Sequence, residues 1–188
     1  MSRSKVASVG IACTAGAFAA VLAMSGTANA LPPESRGVHL TCVDINSNIT
    51  YSTNGAGTLS SSDPGAPNAQ KMKLTSSITA PLNIPANSLT TTILMQQVNG
   101  PGSYSFSGTA NLPMNAGNPI TLGPVPAVGG RLSTPLQLIL KDTSAAAPSA
   151  TNYSVRIQAT FAGTAADIRC AGSQDIVPPA TTPNPFTF

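Results

Sequence analysis

The chain has 188 residues, of which 8% are charged and 4% aromatic, and its formal net charge is +3. Charge this sparse excludes a nucleic-acid interface or a polybasic membrane-binding face, both of which need a concentrated positive patch. Hydrophobic residues make up 41% of the chain, against the apolar-poor, highly charged composition that marks disorder.

The first element is a leader. Arg3 and Lys5 give a short positive start, an apolar stretch rich in Ala and Gly follows from Val6 to Met24, and Ala28-Asn29-Ala30 supplies the small-x-small pattern of a signal peptidase site. Ser8, Thr14 and several Gly interrupt the apolar stretch and no stop-transfer charges follow it, which disfavours a permanent transmembrane anchor. There is no twin-Arg pair, so the general export route of a bacterial-type protein is expected. An alternative makes Cys13 a lipidated N-terminus, but Gly10-Ile11-Ala12-Cys13 lacks the aliphatic residue a lipobox carries three places before its Cys. Without residues 1–30 the chain keeps 158 residues, enough for one domain with its own core. Arg3 and Lys5 leave with the leader, so seven bases then face six acids and the net charge falls to +1.

Along residues 31–177 the dominant signal is alternation with period two, the mark of strands with one buried and one wet face. A first strand carries His39 and Cys42, and Asn46-Ser47-Asn48 forms a hairpin turn to a strand with Tyr51. Past the break at Asp63-Pro64-Gly65, Met72 and Leu74 alternate with Lys71, Lys73 and Thr75. Asn99-Gly100-Pro101-Gly102 breaks the chain before Tyr104 and Phe106, which alternate with Ser103, Ser105 and Ser107. Two further breaks are expected at Asn115 to Pro119 and at Gly123 to Gly130. Leu136, Leu138 and Leu140 then share one face. Ala145-Ala146-Ala147 has room for one helical turn before Pro148. The clearest alternation is Tyr153, Val155, Ile157, Ala159 and Phe161, and a last strand carries Cys170. The tail 178–188, rich in Pro and Thr, is expected to be extended, flexible and poorly packed.

Eight or nine strands and no helix predict an all-β fold: a two-layer antiparallel β-sandwich, immunoglobulin-like or Greek-key. The lack of Trp and the wide spacing of the cysteines argue against an immunoglobulin domain proper. With Cys13 in the leader, Cys42 and Cys170 remain as an even pair in an oxidising compartment, which predicts one disulfide stapling the domain.

Catalytic patterns are thin. His39, the sole histidine, reads as an ordinary strand residue without a set of metal or triad partners. Asp44-x-Asn46-x-Asn48 matches the opening of a calcium loop, but Ile49 stands where that loop needs Gly and Gly55 where it needs a carboxylate. No Gly-x-Ser-x-Gly elbow or phosphate loop occurs. The sequons at Asn48 and Asn152 matter only in a eukaryotic secretory path. No cofactor, metal or catalytic residue is predicted.

Leu40-Thr41-Cys42, Thr79-Ala80-Pro81-Leu82-Asn83-Ile84-Pro85 and Asp167-Ile168-Arg169-Cys170, set behind an Ala-rich leader, resemble secreted β-rich proteins of actinobacteria. That resemblance covers the mature domain and implies no activity or site residue. The expectation is a secreted or cell-envelope protein, not an enzyme, with a binding or structural role toward an unidentified envelope or extracellular partner. Two alternatives stay open: a carrier holding an apolar ligand such as a lipid between the sheets, and a hydrolase using dispersed acids among Asp44, Asp142, Asp167 and Asp175.

Overall fold

The computed structural model describes residues 30–161 and 163–188. The expected leader, with Cys13 in it, lies outside the described residues except for Ala30. Among the described residues there is no helix, and so none long and apolar enough to cross a membrane.

Ten strands follow one another: β1 (Leu31–Asp44), β2 (Ile49–Asp63), β3 (Lys71–Thr79), β4 (Thr90–Gln97), β5 (Ser103–Gly108), β6 (Pro119–Pro126), β7 (Gln137–Leu140), β8 (Val155–Phe161), β9 (Thr164–Gln174) and β10 (Phe186–Thr187). The fold is all-β and antiparallel, as the alternation predicts. The strands form one continuous sheet in the order β10-β7-β4-β8-β9-β1-β2-β3-β6, with β5 on β4. Strand β4 has β5 along one edge, while β8 and β7 share the other, opposite Thr90–Ile93 and Met95–Gln97 respectively. The sheet curls until its β6 end meets β5, where Ala127 bridges Phe106 and Val128 N donates to Ser105 O at 2.9 Å. Its inward faces therefore enclose a single core.

The residues that build this core are the alternating ones. Met72 and Leu74, Phe106, Leu136, Leu138 and Leu140, and Val155 and Ile157 are all buried. Cys42 and Cys170 lie directly opposite each other in the β1–β9 ladder and form the disulfide, spanning 128 residues of sequence. The bond thus links two adjacent central strands. Asn46-Ser47-Asn48 makes the expected hairpin turn, with Asn48 in the left-handed region at φ 59°.

Three expectations need correction. Gly123-Pro124-Val125-Pro126 does not break the chain but finishes β6, with a register shift against β3 between Met72 and Leu74. Prolines are tolerated there because the other edge of β6 meets β5 only near its end, leaving few ladder donors to lose. Ala145-Ala146-Ala147 lies in a turn and bend, since Thr143 on one side and Asn152 on the other tie this loop to non-helical partners.

The third correction is the tail. Residues 178–188 were expected to be flexible, yet Phe186 and Phe188 are fully buried and β10 pairs with β7. The two rings sit two residues apart, Phe186 on β10 and Phe188 just past it where its backbone pairs with Leu136, so both enter the core together, Phe188 lying 6.0 Å from Phe106. Side chains of the first and ninth strands fix the backbone. Arg36 Nε and Nη2 donate to Asn184 O (3.0 Å) and Pro185 O (2.9 Å), Gln174 Nε2 donates to Asn184 O (2.5 Å), and Arg36 lies over the Phe186 ring. The domain accordingly extends to 188 and does not stop at 177.

Candidate functional site

The side chains that could carry chemistry converge on the outer face of β1 and β9. His39 stands directly across from Ser173 in the β1–β9 ladder, and two residues along, just past the end of β9, Asp175 N donates to Gly37 O at 2.9 Å. Gly37 makes the next contact possible, because a Cβ there would overlap the Asp175 carboxylate. Asp175 folds across that gap, and His39 Nδ1 lies 2.6 Å from its Oδ1. A carboxylate only accepts, which places a proton on Nδ1; in the neutral tautomer Nε2 is then the ring's acceptor.

Strand β2 completes the floor. Between Leu40 and Cys42 the β1–β2 register slips, and the extra residue on β2 puts Asn54 in the left-handed region at φ 53°. Asn54 N donates to Thr41 Oγ1 at 3.0 Å, which brings Asn54 alongside the histidine's strand. Such bulges redirect a side chain out of the regular pleat.

The wall is the loop between β7 and β8, pinned at many points. Thr143 N donates to Gly172 O at 2.9 Å and Gly172 N donates to Thr143 Oγ1 at 3.0 Å, fastening the loop onto β9. Asn152 Nδ2 donates to the carbonyls of Thr143, Ala146 and Ala147 at 2.8–3.1 Å, holding the alanines in place. Ser144 Oγ donates to Asp142 Oδ1 at 2.7 Å. Gly172 is required where β9 passes close to β1, since a Cβ there would overlap the carbonyl of His39. Floor and wall enclose a groove of ≈ 310 Å³. Its polar lining is His39, Thr41, Asn54, Ser144 and Ser173, and its apolar side is Ala146, Ala147, Pro148 and Ala171.

The six acids of the chain are all held by the protein's own groups. Glu34 pairs with Arg36 at 2.7 Å, and Asp63 takes both Arg131 Nη1 (2.5 Å) and Nη2 (2.8 Å). Asp142 caps Ser144 and Asp175 holds His39. Burial pushes Asp44 upward, but Ser47 Oγ (2.6 Å) and the backbone N–H groups of Asn46 and Asp167 outweigh it and keep its carboxyl below the usual range. Asp167 is gripped by Arg156 and Arg169, which lower its carboxyl to about 2. Asp63 is held low in the same way, chiefly by Arg131.

The chemistry named from the sequence can now be placed. Asp44 and Asp167 come together, but as an acceptor and the backbone donor it binds, with both carboxyls ionised at neutral pH; neither can give a proton to a leaving group there. Asp142 and Asp175 serve different partners. The Asp44-x-Asn46-x-Asn48 stretch is a turn closed on its own first carboxylate. No cluster of three or more metal-ligating side chains occurs among the described residues. An apolar cavity lined by Tyr51, Ile84, Leu89, Ile120, Ile157 and Ile168 measures ≈ 20 Å³, room for about one water molecule. The partnership of His39 with Asp175, 136 residues apart, was missed; only the β1–β9 pairing reveals it.

Comparison of the chain with protein-family models, with curated protein sequences and with solved structures gives no match.

Proposed function

We propose that this is a secreted or cell-envelope protein with a non-catalytic binding role, presenting a preformed groove on a disulfide-linked β domain. The observation that carries the reading is that the six mature carboxylates are all engaged in holding the fold, while the groove beside His39 keeps hydrogen-bonding groups free. An enzyme using paired acids needs one carboxyl kept protonated near neutral pH; Asp44, Asp63 and Asp167 are pushed the other way. The carrier alternative gains nothing from the ≈ 20 Å³ apolar cavity, which is smaller than an acyl chain requires. The disulfide supports the oxidising compartment that export would provide.

The test combines binding with turnover. Purified residues 31–188 are mixed with washed envelopes of the producing cell and sedimented, and the same material is assayed against p-nitrophenyl esters and glycosides. Saturable co-sedimentation with no turnover is expected. Hydrolysis that disappears in His39→Ala or Asp175→Asn overturns the non-catalytic reading, and a protein that stays in the supernatant overturns the envelope role.

A further inference from the structure

We propose that the groove beside His39 binds an uncharged saccharide, with Asn54, Ser173, Thr41 and His39 Nε2 meeting its hydroxyls and Ala146, Ala147 and Pro148 meeting its C–H face. The inference deepens the reading above and rests on it.

Charge narrows the ligand first. No Lys or Arg lines the groove, so a phosphate or carboxylate would find no countercharge. The acids nearest to it, Asp175 and Asp142, hold His39 and Ser144 through Oδ1 and are not part of the lining, so an amine seated in the groove meets no carboxylate there. Hydrogen-bonding type narrows it further. Hydroxyls and a side-chain amide both give and accept, and a neutral imidazole held on Nδ1 accepts at Nε2. A sugar hydroxyl, itself donor and acceptor, matches such a set at each contact.

The groups are also available. Among the described residues, Ser173 Oγ, the Asn54 side-chain amide and His39 Nε2 make no hydrogen bond to protein. Thr41 Oγ1 accepts from Asn54 N and keeps its own proton to donate, and Ser144 Oγ, donating to Asp142, keeps its lone pairs. Their positions are set in advance by Asp175 on the ring, by the bulge beneath Asn54 and by the Asn152 contacts that hold the loop. Fixing these groups before binding removes part of the ordering cost. At ≈ 310 Å³ the groove is at the small end of ligand sites and suits one or two sugar rings. No aromatic ring lines it, so an affinity on the order of 1 mM is expected for a single sugar.

The experiment is an amide ¹H–¹⁵N titration of residues 31–188 with methyl glycosides of glucose, galactose, mannose and arabinose, and with N-acetylglucosamine. Phosphate, acetate and octanoate serve as charged and apolar controls. At least one neutral sugar is expected to shift the amides of His39, Thr41, Asn54, Ser144 and Ser173 saturably. Asn54→Ala and Ser173→Ala should each weaken that binding about tenfold, and Ser105→Ala, on a distant strand, should leave it unchanged. Ser173→Ala keeps the test valid should the Asn54 variant misfold, since the Ser173 hydroxyl holds nothing else. The inference is overturned if no sugar moves these amides, if phosphate, acetate or octanoate moves them in place of sugars, or if both variants bind like the parent. Co-sedimentation with envelopes that survives Asn54→Ala and Ser173→Ala overturns this site alone and leaves the binding role standing. Sugar binding without any envelope association overturns the envelope role and leaves the site.

Discussion

Arg169 is 6% exposed, and its guanidinium meets the Asp167 carboxylate on one side and the Tyr153 ring, at 4.4 Å, on its face. Arg156 reaches the same carboxylate from β8. Asp167→Asn would leave two cations sharing an amide, one of them buried, and is expected to destabilise the domain by about 2 kcal/mol. Denaturant unfolding at neutral pH measures this. Because Asp167 is held at about 2 against an ordinary 3.8, its contribution is complete above about pH 4 and is lost as pH falls toward about 2. The Asn variant should lack that part of the acid dependence and be equally destabilised from pH 4 to 7. None of this pairing was legible in sequence: Asp167 and Arg169 share a strand face by alternation, but Arg156 joins them only through the β8–β9 register. The His39–Asp175 pair was hidden for the same reason. Spacing along one strand is visible in a sequence, whereas the partner across a ladder depends on register.

Among the elements, strands with sustained alternation were readable, whereas β4 (Thr90–Gln97), β6 with its prolines and the short closing piece were not. Met72 and Leu74, or Leu136 to Leu140, announce themselves because period two persists over enough residues. Strand β10 is only two residues long and follows Pro183 and Pro185, so no period can establish itself and composition points to a flexible tail. Burial decides otherwise: two Phe rings removed from water stabilise by roughly 1.5–3 kcal/mol each, enough to order a short strand whose backbone Arg36 and Gln174 also hold. Phe188→Ala should therefore cost about 3–4 kcal/mol, and Thr187→Ala, at an exposed position between the rings, less than about 0.5 kcal/mol. Urea midpoints for the two variants check the contrast; equal, small effects would mean the strand does not pack as described. The β7–β8 loop makes a parallel case with polar groups. Asn152→Ala removes three hydrogen bonds to carbonyls that shape the groove wall and should lower stability by about 1–2 kcal/mol. Amide exchange at Ala146 and Ala147 should accelerate along with it.

For the molecule as a whole, the disulfide and the sheet order have to be considered together. Cys42 and Cys170 are 128 residues apart in sequence yet sit opposite one another in adjacent central strands that are already paired by their own ladder from Val38–Gln174 to Asp44–Ile168. In the native state the bond therefore adds little that β1 and β9 do not already share. Its larger effect falls on the unfolded chain, where closing a loop of this length is worth about 4–5 kcal/mol in the chain-entropy account. The sequence made the bond predictable by cysteine count, but not its place: a crosslink between an early and a late strand could equally have spanned two layers, and only the direct pairing of β1 with β9 sets the two cysteines side by side. A specific outcome follows. Cys42→Ala with Cys170→Ala should lower the unfolding free energy by up to about 5 kcal/mol, while native amide shifts change only at residues packed on the two sulfurs, because the ladder keeps its register. The loss should appear mainly as slower refolding, if β1–β9 pairing across 128 residues is established by the transition state. Shifts spreading through β1, β9 and β2 would instead show that the bond holds the native register, and with it the positions of His39, Asn54 and Asp175 on which the groove depends.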